Sequence, residues 1–224
     1  SLDDALALVS MRGRLMQEMP SGGMAAVPLT EAELRPLLPS GLDLAAVNAP
    51  AQCVVSGPHE LLTPFEDNLA TRGIKARRLS TSHAFHSVMM EPMLARFSAF
   101  LSGITFRDVR VPWISNLTGT WIGRDQAADP CYWVRHLRET VRFSAGVGLL
   151  LAERHTALLE VGPGRTLQSL ALRHPASAET VVMASMGGRD QEERSSLLMT
   201  LGSLWGAGVP VDWKGLQGAR PCRR

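Results

Sequence analysis

The chain has 224 residues, 45% hydrophobic and 20% charged, enough to bury a sizeable core in one large domain or two small ones. A formal net charge of +2 argues for neither nucleic acid nor a membrane surface as partner, and three widely spaced cysteines (Cys53, Cys131, Cys222) indicate neither a disulfide framework nor a zinc site. The longest apolar run, VGLLLA at 147–152, is far short of the roughly 20 residues of a membrane span, and a reducing, cytoplasmic setting is the simplest reading.

The chain opens on Ser1 inside a helical pattern, SLDDALALVSMRGRLMQEM (1–19), with Ser1 and Asp4 in capping-box positions. Leu2, Ala5, Leu6, Val9, Met16 and Met19 form its expected apolar side. Arg12 lands near the centre of that side, where a cation is costly unless an anion meets it. Residues 20–83 then read as a βαββαβ unit: strand GMAAVPL, helix TEAELRPLL, a strand pair LDLAAVNAP and AQCVVSG, helix ELLTPFEDNLATRG and strand IKARRLSTSHAF. That order suggests a ferredoxin-like subdomain. Next come a helix capped by Ser87 (SVMMEPMLARFSAFLSG) and a strand VPWISN at 111–116. One helical region spans 129–153, and a strand, a Gly-Pro-Gly turn and a helix span 156–174. Strand TVVMASM and a last helix from Leu197 to Trp205 follow. The alternation predicts an α/β fold. The basic tail QGARPCRR reads as linker, so both ends look excised from something larger.

The segment STSHAFHSVMMEPM (80–93) holds two histidines three residues apart. His86 sits where a predicted strand hands over to a helix, an edge at which catalytic groups collect in open α/β sheets. It reads either as a capping or core histidine or as a general base. A metal pair with His83 is the weaker idea, because no second pair of ligands supports it. EVGPG at 160–164 lacks the glycine spacing of a phosphate cradle and reads as a tight turn. The basic run RGIKARRL (72–79) is either a solvated strand edge or a dock for an acidic partner. No G-x-S-x-G elbow occurs, so a base and an inward arginine stand without a nucleophile.

The motifs LVSMRGRLMQ (8–17), AAVNAPAQCVVSG (45–57), SHAFHSVMMEPM (82–93), WISNLTG (113–119), YWVRHLRETVRF (132–143), LLEVGPGRTL (158–167) and PVDWKGL (210–216) run in one order over nearly the whole chain. On these the sequence resembles the acyltransferase domain of modular type I polyketide synthases, related to malonyl-CoA:acyl-carrier-protein transacylases. The resemblance implies a ping-pong transfer of malonyl from malonyl-CoA, through an acyl-serine, to the phosphopantetheine thiol of an acyl carrier protein. His86 would be the catalytic base, and Arg12 would grip the free malonyl carboxylate at two points. His136 would orient the imidazole through its backbone carbonyl. Phe85 and His83 belong to the HAFH form that looks malonyl-selecting. There Phe85 fills the space of an α-methyl branch, worth roughly 1–3 kcal/mol. Asn48 would approach the pantetheine arm, unless it is a turn-forming asparagine. Arg72, Lys75, Arg77 and Arg78 would dock the acidic carrier protein.

The resemblance further implies a partial hydrolase-like α/β subdomain (1–19 and 84–205), an inserted ferredoxin-like subdomain (20–83) and a post-acyltransferase linker (206–224). It implies no bound cofactor or metal beyond the coenzyme A thioester substrate, and a neighbouring ketosynthase as a further partner. The serine elbow of the family would precede Ser1, so the isolated chain is expected to be inactive. A non-catalytic docking fragment is the competing reading. An α/β hydrolase ranks last, because it gives no reason for Arg12.

Overall fold

The structure, a computed structural model, describes residues 1–153, 157–187 and 192–217. The chain divides into two compact units, Ser1–Leu149 and Leu150–Arg224, the boundary falling inside the 84–205 segment that the sequence groups together. The first unit runs α1 (Leu2–Gln17), β1 (Gly23–Val27), α2 (Glu31–Leu34), β2 (Asp43–Ala49), β3 (Gln52–Gly57), α3 (His59–Thr71), β4 (Arg77–Arg78), α4 (Glu91–Leu101), α5 (Arg124–Ala128), α6 (Pro130–Arg138) and most of α7 (Phe143–Ala152). The second holds β5 (Ala157–Glu160), α8 (Thr166–Ala171), β6 (Val181–Ala184), α9 (Glu193–Gly206) and α10 (Trp213–Gln217).

The four strands of the first unit form one sheet in the order β2-β3-β1-β4, every neighbour antiparallel. This is the ferredoxin-like arrangement of a βαββαβ chain. Every residue of β1 is buried, because both faces of the sheet are covered. On one face Ala25, Val27 and Val55 pack with Leu34, Leu62, Phe65 and Leu69 of the helices. On the other, Met24, Ala45, Ala46 and Val54 meet Leu79, Phe85 and Val141. The second face therefore carries the segment that contains His86. In the second unit β5 and β6 pair in parallel, from Ala157↔Val181 to Glu160↔Ala184, with α8 between them in sequence. Both units are α/β. No helix among the described residues is long and apolar enough to cross a membrane.

The first helix forms where its cap predicts, the Ser1 hydroxyl accepting from the Asp4 N–H at 3.1 Å. Its buried side differs from the expected one. Leu15 is fully buried, with Leu8, Met11, Met16 and Met19 beside it against Met93, Phe97 and Leu101. Leu2, Leu6 and Val9 stay 74%, 59% and 66% exposed. The apolar arc is wider than one packing face, and α4 covers only the part led by Leu8, Met11 and Leu15.

Three further expectations change. The strand expected over 74–85 pairs with β1 only at Arg77 and Arg78, because the chain then leaves the sheet to be tied to the β1 entry by Gly22 N–H donating to the Ser82 carbonyl. The strand expected at 111–116 reduces to a single bridge, Ile114↔Trp121, closed by a turn at Gly119, whose φ is 74°. The helical region over 129–153 breaks after Arg138. Glu139 is extended there, and Val141 pairs with β2, its N–H donating to the Ala45 carbonyl and its carbonyl accepting from the Val47 N–H. The Gly-Pro-Gly segment is a turn, with Gly162 and Gly164 at positive φ and the Gly162 N–H committed to the Ser185 hydroxyl. The end of the expected linker, 218–224, with Cys222, lies outside the described residues.

Candidate active site

The loop Ser82–Ser87 is held from several sides. Its Phe85 carbonyl accepts from the hydroxyl of the buried Ser56 on β3 at 2.7 Å, and its Ala84 carbonyl from Ser87 at 2.6 Å. Gly22 passes so close beneath it that a Cβ there would lie 2.7 Å from the Ala84 Cβ. Within this loop His86 adopts φ 56°, alone among the described non-glycine residues in having a positive φ. Such backbone strain persists only where the surroundings over-determine it, and it gathers at functional sites.

The His86 imidazole is half-buried. Its Nδ1 lies 3.0 Å from the Glu139 carbonyl oxygen. A carbonyl can only accept, so Nδ1 carries the proton and the neutral ring keeps its lone pair on Nε2. Burial, then the charges of His136 and Arg12, push the pKa down to about 4, against the pull of the Glu139 carbonyl. At neutral pH the ring is an unprotonated base. The His136 ring meets it edge-on at 6.4 Å between centroids, itself packed on Tyr132 and Trp133 of α6. The carbonyl that orients His86 is thus that of Glu139, where the chain turns away from α6, and not that of His136. His136 touches the imidazole through its side chain instead.

Arg12 and His86 line one cleft of about 420 Å³, walled by Val9, Gly13, Met16, Met24 and Phe85. The Arg12 Nε is buried without a hydrogen-bond partner, and burial lowers the guanidinium pKa below its ordinary value. An unpaired guanidinium in an apolar wall is a seat for an anion. None of the lining residues carries a hydroxyl or thiol, so the cleft offers a base and a cation but no nucleophile of its own.

The other expected site residues fall elsewhere. His83 is buried with both nitrogens occupied, Nε2 donating to the Met19 carbonyl at 3.1 Å and Nδ1 accepting from Ser82 at 2.8 Å. It ties α1 to the loop and is not open to substrate. Asn48 stands near the end of β2 and does not line the cleft. Arg72, Lys75 and Arg77 are exposed along the β4 edge, whereas Arg78 is engaged by Glu66, Thr63 and His59. Among the described residues no cluster of three His, Cys, Asp or Glu could hold a metal ion.

Residues 1–209 match the family described as acyl transferase domain. The chain belongs to the acyl transferase domain family. It is 41% identical over 215 residues to a component of the phenolphthiocerol/phthiocerol polyketide synthase of Mycobacterium tuberculosis, an alignment covering 95% of this chain and 14% of that protein. The acyltransferase domain from the second module of the salinomycin polyketide synthase superposes with a TM-score of 0.91 at 39% identity, over 98% of this chain and 52% of that one. The acyl transferase domain of SpnD, solved with 2-(pent-4-yn-1-yl)malonyl, superposes with a TM-score of 0.86 at 36% identity, over 93% and 51%. The chain therefore spans about half the length of the acyl transferase domains it matches.

Two side chains adjoining the Glu139 carbonyl that meets His86 were silent in the sequence. Arg138 closes the YWVRHLR motif, and Asp43 opens β2. Arg138 donates to Asp43 at 3.3 Å and to Glu91 at 3.0 Å. The motif drew attention to His136, and nothing in a single sequence pairs residues 43 and 138.

Proposed function

We propose that this chain supplies the general base and the carboxylate clamp of an acyltransferase that moves malonyl from malonyl-CoA, through an acyl-serine, to the phosphopantetheine thiol of an acyl carrier protein in a cytoplasmic polyketide synthase. The observation that carries this reading is a neutral imidazole and an unpaired, part-buried guanidinium facing one apolar cleft. The malonyl-type ligand of the SpnD domain supports a carboxylate-bearing acyl group as the occupant.

In the first half-reaction the serine hydroxyl attacks the thioester carbonyl while its proton passes to Nε2 of His86. The tetrahedral intermediate expels coenzyme A, and the imidazolium returns the proton to the departing sulfur. The second half-reaction repeats the exchange with the pantetheine thiol. Arg12 pairs with the malonyl carboxylate. That pairing also offsets one of the charges that depress His86, so bound substrate makes the base stronger. Phe85 lines the cleft beside His86 and narrows it against an α-branch. Arg72, Lys75 and Arg77 form the basic edge toward the acidic carrier protein.

The test is intact-mass loading of a full-length domain that carries this sequence. His86→Asn should lower the loading rate by about 10²–10⁴-fold. Arg12→Ala should raise KM for malonyl-CoA by about 10–100-fold while sparing an uncharged acetyl thioester. Equal losses on both thioesters would remove the carboxylate role from Arg12.

A further inference from the structure

The bond that fixes the His86 tautomer joins two segments distant in sequence, so something must hold their register. Three hydrogen bonds, this one among them, close a ring through two short stretches of chain, and a fourth braces it. The His86 Nδ1–H donates to the Glu139 carbonyl, and Glu139 follows Arg138. The Arg138 Nη2 donates to Asp43 Oδ1 at 3.3 Å. Asp43 Oδ2 accepts from the Val88 N–H at 2.8 Å, and Val88 lies two residues past His86. The Arg138 Nε meanwhile donates to Glu91, at the start of α4, at 3.0 Å. The Arg138 and Asp43 side chains are only about a quarter exposed, 25% and 27%, so solvent screens the pair incompletely. A planar guanidinium with two carboxylates fixes orientation as well as distance.

We propose that Arg138, acting through Asp43, is the positioning residue that holds the Glu139 carbonyl against His86 and thereby sets which imidazole nitrogen faces the cleft. The pair clamps the carbonyl to the backbone just past the strained histidine, so neither can shift alone. Arg142 provides an internal contrast. It anchors the same strap, residues 139–142 beside β2, by donating to Glu31 at 2.6 Å, at similar exposure, but takes no part in the ring.

This inference rests on His86 being the base, yet its test needs no substrate. Two-bond proton–nitrogen correlation spectra of the nitrogen-15-labelled full-length domain distinguish Nδ1–H from Nε2–H imidazoles, with His86 assigned by its loss in His86→Asn. The native chain should show His86 as Nδ1–H. In Arg138→Met the Nε2–H form should become the major one, as in a free histidine side chain. Arg138→Lys should restore part of the native signal, and Arg142→Met should leave it unchanged. A folded Arg138→Met protein that keeps Nδ1–H overturns the proposal, as does an equal shift in Arg142→Met. If Arg138→Met does not fold, Asp43→Asn replaces it. That variant keeps an acceptor for Val88 while discharging the partner of Arg138, and an unshifted tautomer there is equally fatal. A shifted tautomer in a domain that fails to load malonyl would sustain this inference and sink the proposed function.

Discussion

His86 has a folded-state pKa of about 4, against an ordinary value near 6.5. Between these values the unfolded chain binds the proton and the folded chain does not. Stability is therefore highest above pH 6.5 and falls as the pH drops toward 4. Urea unfolding midpoints at pH 7 and pH 5 should differ less for His86→Asn than for the native chain, and an identical difference would show that the ring is not held neutral. Asparagine is the apt replacement, because it tolerates the left-handed backbone better than alanine does. The cysteines separate in the same way. Burial pushes the Cys53 thiol up to about 11, while Cys131 is exposed. Peptide mass mapping after brief treatment with a thiol reagent should show Cys131 labelled and Cys53 protected until urea is added. At this scale the sequence spoke through pattern breaks. Arg12 stood out because a cation fell in an apolar arc, and His86 because it closed a predicted strand. Glu139 gave no such signal, since a backbone carbonyl carries no residue code.

Elements were legible where a local cap or period dictated them and obscure where distant partners decided. The box at Ser1, the cap at Ser87 and the β2–β3 hairpin are local, and they form where the sequence places them. The break after Arg138 is not local. Leu137 and Val141 keep the i, i+4 spacing of a helix in sequence, yet the open edge of β2 draws Thr140 and Val141 out of helix, Thr140 donating to the Leu44 carbonyl at 2.7 Å. The buried side of α1 likewise depends on where α4 lies. Two substitutions check that division. Leu15→Ala should cost about 2–5 kcal/mol of unfolding free energy, and Leu6→Lys no more than about 0.5. Ser56→Ala should cost about 1–3 kcal/mol, because it strips the Phe85 carbonyl of its buried donor. Matching losses for Leu6→Lys and Leu15→Ala, read from urea midpoints, would refute the assigned face.

For the whole molecule, α/β alternation was readable from sequence because strand and helix periods differ, whereas the split at Leu149/Leu150 falls inside one continuous helix and leaves no mark in composition. The four-stranded sheet also has a colloidal consequence. One margin, β2, is closed by the strap at Val141, and the other is a strand of two residues, both arginine. Little unpaired backbone remains to template a second chain, and what remains is cationic and brief, the features by which soluble sheets avoid edge-to-edge growth. Arg77→Val would lengthen the apolar margin without touching the cleft. Its cost should fall on solubility, seen as light scattering that rises with protein concentration at an unchanged unfolding midpoint.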